Sequence, residues 1–375
     1  MTKMMRMSST DRLVRGVLRD FTPYSPGTTI DEARKRFALD RVIKLSSNEN
    51  PLGSSPLAEA AVRNIDQLNI YLDDSLTELR EKIGRRIGVA AGQIVIGHGS
   101  NELVNYICTA FLESGDEALM ATPSFSLYAK SARMHGGVLV EVPLKDGVHD
   151  LPAMAAAVSS KTKIVFVCDP NNPTGTWIEH QAWRAFIAAL SPDVLLVVDQ
   201  AYFEYMDGRG WDTIPLATER PNTIVLRTMS KIYGLASMRC GYGVASPEVI
   251  GWIHRVRVPF NVTRPTALAA GAALDDSDFV ARSLENNRAG IAYLYPEFAR
   301  LGLFAYPTAA NFVALKVPVE ADEAYLGLMK RGIVVRSGDG LCLPHFLRVT
   351  IGTPEQNREF IGALEALLAT WKTRA

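Results

Sequence analysis

A lysine that follows two hydroxyl residues is the feature of this sequence most suggestive of chemistry. Lys231 comes after Thr228 and Ser230, which follow the strand-like run Thr223–Arg227, and Arg239 lies eight positions further along. A lysine amine that can lose its proton forms a Schiff base with an aldehyde. Hydroxyl groups and a guanidinium beside it can bind a phosphate. The segment predicts a site for a small molecule that carries both groups, although a lysine in such a loop is also typical of a solvent-exposed surface.

Two further strand-like runs end in polar residues. Ile164–Cys168 is followed by a turn that contains Asn172, and Val194–Val198 is followed by Asp199 and Tyr202. Ligands of open α/β sheets bind at the carboxyl ends of the strands, so we expect these side chains to lie beside the lysine. The aspartate could pair with a protonated ring nitrogen, while the asparagine and the tyrosine could hydrogen-bond a ring oxygen. Together with the lysine, this set predicts pyridoxal 5′-phosphate as the cofactor.

A glycine-led helix start supplies a candidate phosphate site. Gly99, Ser100 and Asn101 precede an apolar helical stripe, so backbone N–H groups and the helix dipole could hold the phosphate together with Arg239. Each feature also has an ordinary structural explanation as a turn, a helix cap or a surface charge. Their order along the chain, at successive strand ends, favours a functional site.

The elements that must position these residues follow from hydrophobic periodicity. Solid apolar runs alternate with helical patterns such as 181–190, which is typical of strands buried on both faces of a mostly parallel sheet. Ser75 with Glu78 predicts the capped start of a helix. The strand-like runs are 117–121, 138–142, 164–168, 194–198, 223–227 and 242–245.

The same periodicity predicts a division into three parts. We expect an N-terminal arm over 1–45, a large cofactor-binding domain over 46–265 and a small α/β domain over 266–375. The small domain should contain a long helix at 283–300 and strands at 311–317 and 348–351.

Composition argues against several other classes of function. The chain has 375 residues, of which 47% are hydrophobic and 21% charged, as in a soluble globular protein. Forty basic and forty acidic residues cancel, so nucleic acid and anionic membranes are not expected partners. The cysteines and histidines show no metal-binding spacing. No apolar run is long enough to span a bilayer or to form a signal-peptide core, and we expect a cytoplasmic enzyme without a metal.

The chain resembles the fold-type I pyridoxal-phosphate-dependent aminotransferases, and among them the histidinol-phosphate aminotransferase group. The resemblance covers essentially the whole sequence and implies an aspartate aminotransferase-like fold and a homodimer. The motifs that carry it are Leu45–Gly53, Tyr71–Asp74, Gly99–Glu102, Pro123–Phe125, Asn171–Gly175, Asp199–Tyr202, Ser230–Lys231 with Arg239, and Arg348–Gly352.

The resemblance implies a role for each matching residue. Lys231 would bind the cofactor and move a proton between it and the substrate Cα, and Phe125 would stack on the ring where many relatives have tyrosine. Tyr71 would reach the cofactor phosphate of the neighbouring subunit. The residues expected around the phosphate in the same subunit are Ser100, Asn101, Thr228, Ser230 and Arg239.

Substrate residues are implied in the same way. Arg348 would bind the substrate carboxylate or, in the histidinol-phosphate branch, the substrate phosphate as well. Arg336 matches a second arginine associated with the phosphate end. Tyr24 and Asn50 match residues of the arm and loop that close over the substrate.

The implied reaction converts histidinol phosphate and 2-oxoglutarate to imidazole acetol phosphate and L-glutamate, reversibly, in histidine biosynthesis. An aromatic amino acid aminotransferase is the nearest alternative, because the two groups share nearly every motif named above. A phosphothreonine decarboxylase with the same cofactor is a second. A non-enzymatic regulator is a third, but the arm before residue 45 is too short for a DNA-binding module.

Overall fold

The computed structural model describes residue 10, residues 13–21 and residues 27–372 of the chain, apart from the side chains at 20 and 372. Within that part, no helix has the length and apolar character needed to cross a membrane.

Twelve strands occur in the described part of the chain. They are β1 (Ile43–Lys44), β2 (Ile94–His98), β3 (Glu117–Thr122), β4 (Val138–Pro143), β5 (Thr162–Cys168), β6 (Leu195–Asp199), β7 (Thr223–Thr228), β8 (Cys240–Ala245), β9 (Phe312–Lys316), β10 (Ile333–Val334), β11 (Arg336–Ser337) and β12 (Phe346–Thr350). The helices are α1 (Ile30–Phe37), α2 (Pro56–Arg63), α3 (Thr77–Ile87), α4 (Ser100–Phe111), α5 (Leu127–Met134), α6 (Leu151–Ala156), α7 (His180–Ala189), α8 (Leu216–Glu219), α9 (Pro247–Val256), α10 (Arg264–Ala273), α11 (Ser277–Arg300), α12 (Ala321–Met329) and α13 (Pro354–Lys372).

Seven of these strands form one central sheet in the order β2-β8-β7-β6-β5-β3-β4. Strand β8 is antiparallel to both neighbours, and the remaining pairs are parallel. This confirms the α/β fold with a mostly parallel central sheet. Strand β2, a short apolar run before Gly99, was not among the predicted strands.

The solid apolar runs of the central strands fill both faces of the sheet. Val165, Val198 and Val225 belong to one buried core, and their neighbours Phe166 and Val197 belong to the core on the opposite face. Because successive side chains of a strand point to opposite faces, a sheet covered by helices on both sides needs apolar residues at every position. That requirement explains the absence of polar alternation.

The start of α3 differs from the prediction. The helix begins at Thr77, and its N-cap residue, Leu76 with φ 50°, makes no capping hydrogen bond with its side chain. The side chain of Asp73 accepts hydrogen bonds from the backbone N–H groups of Ser75 and Thr77, each at 3.0 Å. The capping box of Ser75 with Glu78 is therefore wrong, because Leu76 is the N-cap residue and Asp73 already accepts from the Ser75 backbone N–H that the Glu78 side chain would have bonded.

A second, smaller sheet joins β9, β11 and β12 in the order β11-β12-β9, with both pairs antiparallel. Helix α11 runs between its core and that of the central sheet. Val280 packs against the central-sheet core, whereas Leu294 and Phe298 lie in the core of the small sheet. The helix predicted at 283–300 thus begins six residues earlier, at Ser277. The domain limits at residues 45 and 265 stay predictions.

Candidate active site

The predicted strand ends meet at one cavity of about 230 Å³. Strands β5, β6 and β7 lie side by side and parallel, so the turns that follow them lie at the same edge of the sheet. The predicted site residues that line the cavity are Ser100, Asn101, Phe125, Asn172, Asp199, Tyr202, Thr228, Ser230, Lys231, Arg239, Arg336 and Arg348.

Lys231 brings its amine into this cavity. Its Nζ donates a hydrogen bond to the carbonyl oxygen of Ser47 at 3.2 Å. Burial lowers the pKa of Lys231 to about 7, and the positive charge of Arg348 adds to this effect, while Glu49 and Asp199 oppose it. A large fraction of the amine is therefore unprotonated near neutral pH, as a nucleophile or a general base requires.

Asp199 is buried at the end of β6, with 3% of its surface exposed. One carboxylate oxygen accepts a hydrogen bond from the Tyr128 hydroxyl at 2.7 Å, and the other accepts one from the backbone N–H of Ala201 at 3.1 Å. Burial raises the pKa of Asp199, although both hydrogen bonds and the charge of Lys231 act against the rise. Two donors thus prepare this carboxylate to hold a positive charge in the cavity.

The hydroxyl of Tyr202 is surrounded by amide donors. The Nδ2 of Asn48 donates to it at 3.0 Å and the Nδ2 of Asn172 at 3.5 Å. Burial raises the pKa of Tyr202 to about 12, against the opposing influence of Arg348 and of the Asn48 hydrogen bond. The tyrosine therefore stays protonated at neutral pH and can act as a hydrogen-bond donor.

The start of α4 forms one wall of the cavity through Ser100 and Asn101. Gly99 precedes the helix with φ 78°, and a Cβ at this position would collide with the guanidinium of Arg239. Only glycine permits both this backbone conformation and this close approach. The backbone N–H groups at this helix start, beside an arginine, could bind an anion.

The turn after β7 adds hydroxyl groups and an arginine to the same part of the cavity. The Arg239 Nη1 donates to the Ser230 hydroxyl at 3.3 Å and to the carbonyl oxygen of Ala236 at 3.0 Å. The Thr228 hydroxyl accepts from the backbone N–H of Ser230 and donates to the carbonyl oxygen of Cys240. The arginine and the hydroxyl groups are thus held in place by their own hydrogen bonds.

Two arginines lie at another part of the cavity wall. Arg336 and Arg348 are direct partners in the antiparallel pairing of β11 with β12. The guanidinium of Arg348 donates to Asn172 Oδ1 and to the carbonyl oxygen of Ser46, both at 2.8 Å. Two guanidinium groups at this position could bind an anion.

Asn50 is not among the residues that line the cavity. Its side-chain amide donates to the carbonyl oxygen of Ile232 and to the Ser283 hydroxyl, both at 2.8 Å. The asparagine thus ties its loop to the chain after Lys231 and to α11. Its expected contact with substrate stays a prediction.

Tyr71 also lies away from the cavity of its own chain. It is 77% exposed, and its ring stacks on Phe260 with 4.4 Å between the ring centroids. Tyr24 falls outside the described residues.

Several cavity residues were not among those predicted from the sequence, namely Gly27, Ser46, Ser47, Asn48, Cys168 and Ala201. Cys168 ends a predicted strand, so the rule of strand ends could have identified it. The three residues 46–48 stand in a motif that pointed to a family without indicating their contacts. Tyr128 gave no signal beyond its place in a helix.

Curated relatives and solved structures resemble nearly the whole chain. The histidinol-phosphate aminotransferase of Brevibacillus brevis is 45% identical over 347 residues, which cover 92% of this chain and 95% of that protein. The crystal structure of the histidinol-phosphate aminotransferase of Sinorhizobium meliloti in complex with pyridoxal 5′-phosphate superposes with a TM-score of 0.87 at 26% identity, covering 96% of this chain and 98% of that one.

An L-threonine-O-3-phosphate decarboxylase from Porphyromonas gingivalis also has this fold. Its TM-score is 0.76 at 23% identity, with 88% of this chain and all of that chain covered. A likeness at this level of identity shows the shared fold alone.

The family model "Aminotransferase class I and II" matches residues 40–364, a range that contains all the described cavity residues except Gly27. The chain therefore belongs to the class I and II aminotransferases.

Proposed function

We propose that this protein transfers the amino group of L-histidinol phosphate to 2-oxoglutarate, reversibly, giving imidazole acetol phosphate and L-glutamate. The observation that carries the substrate assignment is the 45% identity, over nearly the full length of both chains, to a protein with that activity in its name. The cavity contributes an amine with a lowered pKa, a buried carboxylate and two anion-binding groups. These are the groups that amino transfer between two anionic substrates needs.

The family depends on pyridoxal 5′-phosphate, and the residues present fit that cofactor. Asp199 offers a buried, doubly hydrogen-bonded carboxylate for the ring nitrogen. Arg239, Ser230 and the start of α4 offer an anion site for the phosphate. When bound, the cofactor supplies an aldehyde that accepts the amino group and a protonated ring that draws electrons from the substrate Cα.

Lys231 would bind the cofactor between turnovers and act on the substrate proton during them. Its pKa of about 7 leaves enough unprotonated amine to remove the proton from Cα. The protonated amine can then donate that proton to the cofactor. Asp199 would hold the proton on the ring nitrogen throughout, and Tyr202 would donate to the neighbouring ring oxygen.

The paired arginines favour substrates that carry anionic groups. Histidinol phosphate carries a phosphate and no α-carboxylate, whereas glutamate carries two carboxylates. Arg348 and Arg336, opposite each other on neighbouring strands, can serve both. An aromatic amino acid has one anionic group, its α-carboxylate, and could be bound by one of these arginines. The aromatic aminotransferase is therefore the second candidate.

We further propose that a second copy of this chain covers the surface around Tyr71 and brings that residue to the neighbouring cavity. Tyr71 and Phe260 expose 77% and 46% of their surface while stacked on each other. Arg257 holds their two loops together, since its guanidinium donates to Asp74 and to Asn261. The cytoplasmic location expected from the sequence stays a prediction.

The decisive experiment titrates the cofactor-loaded enzyme, in single half-reactions, with L-histidinol phosphate, L-glutamate and L-phenylalanine. Loss of the visible absorbance of the bound cofactor reports amino transfer, and Lys231→Ala gives the inactive control. The proposal is supported if histidinol phosphate and glutamate each remove this absorbance efficiently and phenylalanine removes it poorly. Efficient loss with phenylalanine and none with histidinol phosphate would identify an aromatic aminotransferase. Release of CO₂ from O-phosphothreonine would identify a decarboxylase.

A further inference from the structure

Three consecutive residues each contact a different functional side chain of the cavity. The carbonyl oxygen of Ser46 accepts from Arg348, and that of Ser47 accepts from Lys231. The Nδ2 of Asn48 donates to the hydroxyl of Tyr202. The first two contacts use the backbone, which any residue supplies. The third uses a side chain, so among these three contacts only the one at position 48 depends on the residue type.

The contact with Asn48 limits what the Tyr202 hydroxyl can do. A tyrosine hydroxyl has one proton to donate, and its oxygen can accept. The amides of Asn48 and Asn172 both donate to that oxygen, so neither can receive its proton. The Tyr202 hydroxyl can therefore donate its proton only to an acceptor in the cavity, which Tyr202 lines.

The direction of the Asn48 amide is itself fixed. The Thr350 hydroxyl accepts from the backbone N–H of Asn48 at 2.9 Å and donates to Asn48 Oδ1 at 3.3 Å. With Oδ1 engaged as the acceptor, the NH₂ group must face Tyr202. Thr350 lies on β12, two residues after Arg348. The strand that carries the substrate arginine therefore also orients the amide.

The backbone of Asn48 suits this position. Its φ is 55°, a left-handed conformation that asparagine and glycine adopt more readily than other residues. Its carbonyl oxygen accepts from Asn311 Nδ2 at 3.0 Å, and 1% of the residue is exposed. A buried side chain with every group engaged has one stable orientation.

We propose that Asn48 is a positioning residue that makes the Tyr202 hydroxyl a hydrogen-bond donor into the cavity, with Thr350 setting the direction of its amide. This rests on the proposed function, in which the acceptor is the ring oxygen of the cofactor. A donor at that oxygen stabilises its negative charge and so lowers the pH at which the bound chromophore loses its proton. Loss of the Asn48 amide should raise that pH.

The test is a pH titration of the absorbance of the cofactor-loaded enzyme, carried out for Asn48→Gly in the wild-type and in the Tyr202→Phe backgrounds. Glycine keeps the left-handed backbone and removes the amide alone. We expect the titration midpoint to rise by about half to one pH unit in the wild-type background, as for the loss of one hydrogen bond. In the Tyr202→Phe background no further rise is expected. Thr350→Val should give a smaller rise in the same direction.

A purely structural role predicts a different pattern. Asn357→Ala removes another buried asparagine, whose amide bonds to the backbone of Gly352, and should lower the unfolding temperature without moving the midpoint. An equal rise in both Tyr202 backgrounds, or no rise at all, would overturn the inference about Asn48. An unchanged midpoint in Thr350→Val would overturn the role of Thr350. If the wild-type enzyme bound no pyridoxal 5′-phosphate, the proposed function itself would fail.

Discussion

Two oppositely charged side chains in the cavity have pKa values that burial shifts toward neutrality. The pKa of Lys231 is lowered to about 7, and that of Asp199 is raised. Shifted pKa values of facing groups are typical of active sites, because each group must exchange or hold a proton near neutral pH. The neighbours that limit these shifts can therefore be tested one at a time.

Tyr128→Phe should reduce kcat/KM by about 10- to 100-fold, the effect of losing one hydrogen bond to a charged group. The hydroxyl donates to Asp199 Oδ2 at 2.7 Å, so without it the pKa of Asp199 rises further. The acid limb of the pH profile should accordingly move to higher pH. Steady-state kinetics across pH would measure both effects.

Tyr295→Phe is the matched control for this change, because its hydroxyl donates to a backbone carbonyl oxygen, that of Tyr306, outside the cavity. Its pH profile should match the wild type. An unshifted acid limb in Tyr128→Phe would show that the hydroxyl does not act through Asp199.

The pH dependence of cofactor loading follows from Lys231. Only the unprotonated amine reacts with an aldehyde, so the loading rate of the cofactor-free enzyme should rise with pH and level off above about 7. In Arg348→Met, the removal of a positive charge should raise the pKa of Lys231 and move this midpoint to higher pH. Stopped-flow absorbance would follow the reaction.

Arg209→Met is the control for this change, because the Arg209 guanidinium bonds to the carbonyl oxygen of Thr308, and it should keep the wild-type midpoint. A wild-type midpoint near 10 would contradict the lowered pKa of Lys231.

At the scale of the elements, the starts of helices α2 and α11 are joined by a hydrogen bond between their capping residues. Ser55 caps α2 and Asp276 caps α11 through the backbone N–H of Ala58 and of Phe279. The Ser55 hydroxyl also donates to Asp276 Oδ2 at 2.6 Å. Burial raises the pKa of Asp276, but these hydrogen bonds outweigh it, and the pKa is lowered overall. One carboxylate thus fixes the starts of two helices.

Asp276→Ala should lower the free energy of unfolding by about 1–2 kcal/mol, as for the loss of a helix cap. Because the folded-state pKa is lowered, the stabilisation is present above the unfolded pKa of about 4 and is lost as the pH falls through the folded value. Urea unfolding at pH 7 and under acidic conditions would measure it. Asp278→Ala, an exposed acidic residue in the first turn of the same helix, should cost about 0.3–0.5 kcal/mol. Equal losses in the two variants would argue against the cap.

At the scale of the whole molecule, an apolar surface remains uncovered on the single chain. Next to the stacked Tyr71 and Phe260 runs a groove between α3 and α10, lined by Leu72, Leu76 and Leu268 among others. Exposed apolar side chains that lie together, such as Tyr71, Phe260 and Leu268, are typical of an interaction surface. A second copy, related by twofold symmetry, would cover the same patch on both chains.

Mixed dimers test whether Tyr71 acts on the neighbouring cavity. Tyr71→Ala and Lys231→Ala should each be nearly inactive alone. In a mixed dimer one cavity carries both changes and the other carries neither, so the doubly purified mixed dimers should show about half of the wild-type activity. Co-expression with two tags and an assay of the doubly purified fraction would measure it. No recovery would mean that Tyr71 acts within its own chain, and full activity of Tyr71→Ala alone would mean that it does not act at all.

The sequence by itself determined the fold class and most of the cavity. Solid apolar runs of strand length that alternate with helical patterns favour strands buried on both faces, and neighbouring parallel strands end at the same edge of their sheet. For this reason the positions of Asn172, Asp199 and Lys231 could be predicted without coordinates. Arg348 and Arg336 were predicted only by family resemblance, because no local pattern indicates that two short strands will place them opposite each other.

The tertiary structure decided the contacts that join distant parts of the chain. Asn48 meets Tyr202 across 154 positions, and Tyr128 meets Asp199 across 71, so no periodicity within one element could reveal either pair. Local competition was equally hidden: Asp73 accepts from the backbone N–H of Ser75, which the Glu78 side chain would have bonded in the predicted capping box. Hydrophobic patterns select elements because burial depends on the residue type, whereas a hydrogen bond depends on which groups the finished fold brings within 3 Å of each other.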